Sequence, residues 1–523
     1  LSSLGDVKKA IDLYFLAGVN HIFYHGTAYS PKDAPWPGWL FYAAVHFQPT
    51  NPQWKDFHVL NEYITRVQSF LQNSKSNNDI LLYYPIADRY SQPGVSMGPL
   101  LQHFDGMERN FEKTDFEHIS RWLLDNGYSF DFFSDRQLQS FSVQNERVLT
   151  GGNRYRTILL PGNKLIPEAS FQKLVALARD GATILVYNEL PDDVPGLALH
   201  DKRRELLTKA IDQLHLKRYS DSAQGAEVGK GAFYISLDLR GLLMLGSARH
   251  SDANTGLSIL HRVNNDGQVY FVNNRSDKAI DQWVKFQGTG KVPAALFDPM
   301  TGHYGMAKSR YDNQGNLDIW LQLQPYESII IQTFVKPAKA KPYAYVTTTG
   351  NPIPVNGPWR ILFLDGGPSL PDQYMFDPLR SWDELRDEKA KNFSGTARYY
   401  CEFETAKESM TDYLLDLGIV HETAEVFVNG KKIATLIGPT FQCVIPASAL
   451  QPTNKLEIIV ANLMANRIAY MDRNNIPWKI FYNTNMPARK RENIKNGLFN
   501  ASDWKPLPSG LLGPVTLTPA RIE

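Results

Sequence analysis

The stretch AGVNHIFYHGTAYSPKDAPWPGWLFY, residues 17–42, decides how the rest of the chain is read. Ala17-Gly18-Val19-Asn20 is a helix-stop and turn signal. His21-Ile22-Phe23-Tyr24 is a short β-prone run, of the kind that a parallel sheet buries on both faces. It ends at His25-Gly26, and a polar loop over 27–39 carries Tyr29, Asp33, Trp36 and Trp39. Before it, residues 7–16 have helical spacing, with Val7, Ile11 and Leu16 apolar. After it, residues 53–71 predict a long helix, with Trp54, Phe57, Leu60, Ile64, Val67 and Leu71 on one stripe. Helix, parallel strand, long loop, helix is one unit of a (β/α) barrel. In such barrels the loop after the strand carries the functional side chains.

Length bounds the rest. A chain of 523 residues exceeds what one hydrophobic core supports, so three or four domains are expected. The net charge of +1 argues against nucleic acid or an acidic membrane surface as partner. No run is long and apolar enough to span a bilayer. The chain opens on a helix without a start Met, a signal peptide or a preceding strand, and reads as a piece of a longer polypeptide. Two cysteines, Cys401 and Cys443, say little about redox compartment and are read as free buried thiols.

Beyond the barrel unit, NSKSNN at 73–78 is a polar break. From residue 79 short apolar runs alternate with helical ones. Strands are predicted at 80–84, 128–133, 157–160 and 183–187, and helices at 116–126 and 169–179, the latter stopped at Gly181. That alternation predicts a doubly wound parallel sheet. It has no glycine-rich phosphate loop and no nucleophile elbow, so a structural role is expected for it. From residue 229 short strands take over, including 232–237 and 242–245, with Asn265-Asp266-Gly267 as a hairpin signal. This predicts an antiparallel sandwich. Residues 335–354 are rich in Pro, Lys and Thr and read as a linker. Residues 355–523 are again β-rich. Val428-Asn429-Gly430-Lys431 is the strongest hairpin signal, and Val426, Val428, Ile433, Ile445, Leu456, Ile458 and Val460 are expected to be buried. A jelly roll of this size is a common carbohydrate-binding module.

Three stretches carry a family resemblance. GVNHIFYHGTAYSP with PGWLFYAAVHFQPTNPQW resembles the late barrel strand and loop of glycoside hydrolase family 106, the α-L-rhamnosidases. YRTILLPGNKLIPEASFQKLVALARDGATILVY is similar to the amidotransferase-like (flavodoxin-like) domain that follows the barrel in that family. FSGTARYYCEFE, VFVNGKKIATLIGPTFQCVIPASAL, NKLEIIVANLMANRI and PSGLLGPVTL resemble the galactose-binding-like jelly roll shared with family 2 glycosidases. The resemblance implies a multidomain α/β plus β chain: the end of a (β/α) barrel at 1–78, the amidotransferase-like domain at 79–228, a β-sandwich at 229–334, the linker at 335–354 and the jelly roll at 355–523. It also implies inverting, calcium-assisted hydrolysis of terminal α-L-rhamnosides by a bacterial enzyme outside the cytoplasm, periplasmic or extracellular.

Inversion needs two opposed carboxyl groups that admit a water between them. The resemblance puts those acids on barrel strands before the one seen here, upstream of Leu1, in a missing N-terminal part of the same polypeptide. The chain alone is therefore expected to be inactive. Calcium would use oxygen ligands, and no metal-ligand spacing is present in this sequence. Two other readings stay open: a β-galactosidase-like or family 2-like glycosidase, and a non-catalytic carbohydrate-binding fragment.

The substrate-binding candidates are His25, Tyr24, Tyr29, Trp36, Trp39 and His46. Imidazole at a strand end hydrogen-bonds sugar hydroxyls or a carboxylate. Aromatic faces stack on the C–H face of a sugar, with loop packing as the competing role. Asn51 lies near the same mouth. Asp33 is the one carboxylate of the loop, and a solvated loop aspartate is its competing role. Asp56 and Glu62 read as surface charges of the following helix. In the last domain Trp359, Trp382, Trp478 and Trp504 are core residues or sugar platforms, and Arg489-Lys490-Arg491 reads as a solvated face.

Overall fold

The computed structural model describes residues 2–25, 28–40, 47–91, 111–249, 256–286, 289–313, 315–336, 338–405, 411–480 and 491–523. Five short apolar runs lie parallel: Ile80–Tyr83, Phe130–Phe133, Thr157–Leu160, Thr183–Tyr187 and Gly231–Ser236. In space the second comes first, then the first, third, fourth and fifth, which is the flavodoxin-like order. Helices cover both faces, so Ile158, Leu159, Ile184 and Leu185 are all fully buried and the strands read as unbroken apolar runs.

This sheet extends past residue 228, where the sequence reading begins the sandwich. Gly231–Ser236 is its fifth parallel strand. Leu239–Leu245, read as including a strand at 242–245, is a helix. Asp238 caps it by accepting from the Gly241 amide, and Leu239, Leu242 and Leu243 bury one face. The capping aspartate and the three-residue apolar spacing outweigh the β-prone look of the run.

The central sandwich starts at Leu257. Its larger sheet orders Lys75–Ser76, Leu257–Val263, Gln268–Asn274, Ser328–Thr333, Ala294–Phe297 and Tyr304–Met306. Its smaller sheet is Ile280–Phe286, Leu317–Leu323 and Ser309–Tyr311. Alternation sets the packing. Tyr270, Val272, Ile329 and Ile331 face the smaller sheet. Their neighbours Val269, Phe271 and Ile330 face the other way, onto two helices.

Those helices are α1 (Leu4–Leu16) and α2 (Phe57–Gln72). A capping box of Ser3 and Asp6 starts α1. Phe15, Leu60, Tyr63, Val67 and Leu71 are fully buried against the sheet, each apolar side chain contributing about 1.5–3 kcal/mol. The strand expected at 21–25 is not formed: among the described residues these pair with no sheet, and α1 and α2 pack on the outer face of the sandwich. A strand needs a neighbour to complete its ladder. Residues 20–22 are held by side chains instead: the Ile22 amide donates to Gln68 Oε1 (2.5 Å) and Gln72 donates to the Asn20 carbonyl (2.8 Å).

The linker reading of 335–354 also changes. Tyr345 is buried in the central sandwich core, while Val346–Thr348 and Ile353–Pro354 pair with the C-terminal strand Thr516–Ile522. The segment is a seam that joins two β cores rather than a tether. The C-terminal β domain has a six-stranded and a five-stranded sheet around Trp359, Trp382, Phe393, Tyr399 and Ile458. Val426, Val428, Ile445, Leu456, Ile458 and Val460 are fully buried, and Ile433 only partly. Cys401 and Cys443 are free; Cys401 is buried and Cys443 half-buried, on opposite sheets.

Candidate functional site

The segment over residues 28–40 docks on the C-terminal domain. Gln48 Nε2 donates to the Pro37 carbonyl (2.6 Å) and Thr50 Oγ1 donates to the same oxygen (2.7 Å). Ser30 Oγ accepts from the Trp39 amide (2.9 Å) and fills the space a Cβ on Gly38 would need. The Leu40 amide donates to the Ile480 carbonyl (3.0 Å). Leu40 and Trp36 join a cluster of Met464, Ile468, Met471, Trp478 and Ala501. Asp472 organises the far side: Trp478 Nε1, Lys479 Nζ and the Ala501 amide all donate to it, at 2.7, 2.8 and 2.8 Å.

Trp36 lies under a guanidinium. Arg467 Cζ is 3.9 Å from its ring centre, and the indole Nε1 donates to the Thr50 carbonyl (3.2 Å). Sequence reasoning missed Arg467. Nothing in its neighbours ANRIAY signals that it meets a tryptophan more than four hundred positions earlier.

The other candidates fall into two groups. Tyr24 belongs to an aromatic group at the start of α2. Its hydroxyl donates to Asn61 Oδ1 (2.9 Å), and its ring lies 5.3 Å from Phe57 and 5.5 Å from Phe47. Burial pushes the Tyr24 hydroxyl up to about 12. Trp54 stacks on Phe57. His25 is exposed and Tyr29 is 93% exposed. With no strand at 21–25, His25 stands on a loop and not at a strand end. Trp39 is half-buried in the docked loop. His46 lies outside the described residues, as do Arg489, Lys490 and the side chain of Arg491.

Asp33 is exposed, and Glu62 pairs with Arg66 on α2 (2.8 Å). Asp56 is not a surface charge. It is 1% exposed and accepts from Thr423 Oγ1 of the C-terminal domain (2.5 Å). Among the described residues no group of three or more His, Cys, Asp or Glu side chains is placed to hold a metal. Of the four tryptophans of the C-terminal domain, Trp359, Trp382 and Trp478 are buried core, while Trp504 is half-buried with its Nε1 donating to Asn493 Oδ1 (2.9 Å).

A concavity of about 90 Å³ lies at the C-terminal ends of Ile80–Tyr83 and Thr157–Leu160, lined by Pro85, Asp88, Phe111, Asp115 and Asn163 among others. That is the switch point of the sheet. Both Asp88 oxygens are taken by the Lys164 and Leu165 amides (2.8 and 2.7 Å), which makes this aspartate a loop brace.

The family model for glycoside hydrolase family 106, alpha-L-rhamnosidase, matches residues 3–311, more than half of the chain. This chain belongs to that family. The match takes in α1, the docked loop, α2, the parallel sheet and most of the central sandwich. The structure also resembles that of a rhamnosidase from Novosphingobium sp. PP1Y, with a TM-score of 0.72 and 23% identity over 99% of this chain and 46% of that one. That likeness is one of fold. A putative beta-glucuronidase from Formosa agariphila is 31% identical over 187 residues, 33% of this chain and 16% of that protein. The chain thus spans less than half the length of either relative.

Proposed function

We propose that this chain is part of an inverting α-L-rhamnosidase that removes terminal rhamnose from glycans outside the cytoplasm. Membership of family 106 carries this reading. The exposed His25 and Tyr29, with Trp36 and Trp39 on the docked loop, supply groups that hydrogen-bond and stack on a sugar. In an inverting enzyme one carboxyl group protonates the leaving oxygen while a second, about 6.5–9.5 Å away, activates water on the opposite face. Asp33 has no opposing carboxylate on its loop, so the acid and base are assigned outside these residues, together with any calcium. The chain's own part is to bind and orient the sugar and to brace the site with its β domains.

The test is hydrolysis of an aryl α-L-rhamnoside, with and without calcium, by this chain and by the complete product of its gene. Turnover by the complete product and none by the chain is expected. Saturable turnover by the purified chain would place a catalytic pair within Leu1–Glu523 and refute the assignment. In the complete product, His25→Ala should lower turnover at unchanged thermal stability. A second reading, a family 2-like glycosidase, is favoured by the similarity to the putative beta-glucuronidase. An aryl β-glucuronide in the same assay separates the two.

A further inference from the structure

The guanidinium of Arg467 is held on both faces. One face meets the Trp36 ring at 3.9 Å. The other packs on Gly367, where an added Cβ would lie 2.5 Å from Cζ and Nη1 and 2.8 Å from Nη2, so a side chain at 367 would displace the guanidinium. Both walls are themselves fixed. Trp36 is tied to Thr50, and the helix Ala465–Arg473 is anchored by Asn466, which donates to the Leu507 carbonyl and accepts the Leu507 amide.

The donors of this fork are unspent. Arg467 makes no hydrogen bond and no ion pair among the described residues, and its Nε is sealed from solvent without a partner. Its neighbours are committed. Arg473 donates to the Trp504 carbonyl and to Asn392, and Lys479 is paired with Asp472. Asp365 exerts an electrostatic pull on Arg467 but forms no ion pair with it. A half-buried cation without an acceptor is a standing penalty, which an arriving anion relieves. A planar fork clamped on both faces has lost its rotamer entropy already, and it matches the two coplanar oxygens of a carboxylate.

We propose that Arg467 and Trp36 form a subsite that recognises the carboxylate of a uronic acid unit in the glycan, at the seam between the docked loop and the C-terminal domain. This rests on the glycosidase reading of the same face and specifies its substrate as an acidic glycan. The carboxylate takes two N–H donors of Arg467, and the sugar ring lies beside the indole.

Binding of methyl galacturonide and methyl glucuronide to the purified chain tests this, read by saturation-transfer NMR and titration calorimetry. Methyl rhamnoside and inorganic sulfate serve as comparisons. The wild-type chain should bind a uronide at millimolar concentration and favour it over sulfate. Arg467→Gln should weaken that binding roughly tenfold or more, as for loss of a charge-assisted hydrogen bond. Arg467→Lys, which keeps the charge and loses the fork, should also weaken it, at an unchanged melting temperature. Equal uronide binding by wild type and Arg467→Gln overturns the subsite. So does sulfate binding as tight as uronide binding, or full retention of affinity in Arg467→Lys. The broader reading fails separately: a complete gene product without rhamnosidase activity refutes that function while uronide binding through Arg467 stands.

Discussion

Lys8 Nζ lies 2.7 Å from Asp12 Oδ2, one turn apart on α1, and each side chain is only 3% exposed. The pair sits where α1 meets the central sandwich. Lys8 also donates to the Tyr326 carbonyl (2.9 Å), and Asp12 accepts from the Tyr63 hydroxyl and from Asn273. Burial and the Asp12 charge raise the pKa of the Tyr63 hydroxyl and keep it protonated as a donor.

Removing one partner strands a buried charge. Asp12→Ala should therefore cost about 3–5 kcal/mol in urea unfolding. The double variant Lys8→Met with Asp12→Leu should cost less than the single one, because no charge is left buried. A double variant worse than Asp12→Ala would show that the pair contributes net stability.

Asp79 joins the parallel sheet to residues that lead into the sandwich. Arg249 donates to both its oxygens (2.8 and 2.7 Å), and Arg156 lies 3.1 Å away. Burial works to raise its pKa, but the Arg249 hydrogen bonds and charge, with Arg156, outweigh this and hold it below the usual value. A folded pKa below the unfolded one stabilises above the unfolded value, about 3.9, and that stability is lost as pH falls through the folded value. Asp79→Asn should thus be less stable than wild type at neutral pH, and the two should converge in strong acid. Parallel curves across that range would refute the linkage.

Asp56 should behave with the opposite sign. Burial raises its pKa, and the Thr423 hydrogen bond only partly offsets this. Its contribution is intact below the unfolded value and is lost as pH rises through the folded one. Asp56→Asn keeps an acceptor for Thr423, so its stability relative to wild type should improve as pH rises above about 4. Urea midpoints at pH 4 and pH 7 check this.

Tyr345 ties two cores. Its ring lies in the central sandwich, its hydroxyl donates to the Trp320 carbonyl and accepts the Lys308 amide (both 3.0 Å), and its backbone pairs with Glu523. Tyr345→Ala should cost about 3 kcal/mol, and Tyr345→Phe about 1 kcal/mol. For the same reason a fragment starting at residue 345 should melt cooperatively at higher temperature than one starting at 355, which lacks two strands of the five-stranded sheet.

At the Asn429-Gly430 turn both residues have positive φ, 52° and 78°. Asn429 also donates to the Ala449 carbonyl (3.0 Å) and to Asn454 Oδ1 (2.9 Å), and accepts the Lys455 amide (2.9 Å). Asn429→Ala should therefore cost about 2 kcal/mol, more than a turn alone explains. Chemical denaturation of the full chain measures it.

What the sequence determined by itself is local. The runs TILL and TILVY are strands over Thr157–Leu160 and Thr183–Tyr187, Gly181 stops the helix before the second at φ 120°, and Asn-Gly places a hairpin. Each rests on periodicity or on a backbone preference carried by a few adjacent residues. Tertiary structure alone decided the rest. Residues 21–25 have a strand's composition, yet no described neighbour completes a ladder beside them. α1 and α2 have the apolar stripe of barrel helices, but a stripe does not name its partner, and here it meets Phe271 and Ile330 of the sandwich. Asp56 looks like any helix-end charge until Thr423 covers it, and Arg467 carries no signal until Trp36 and Gly367 close on its two faces. Contacts between residues hundreds of positions apart depend on shape and burial, which no local pattern encodes.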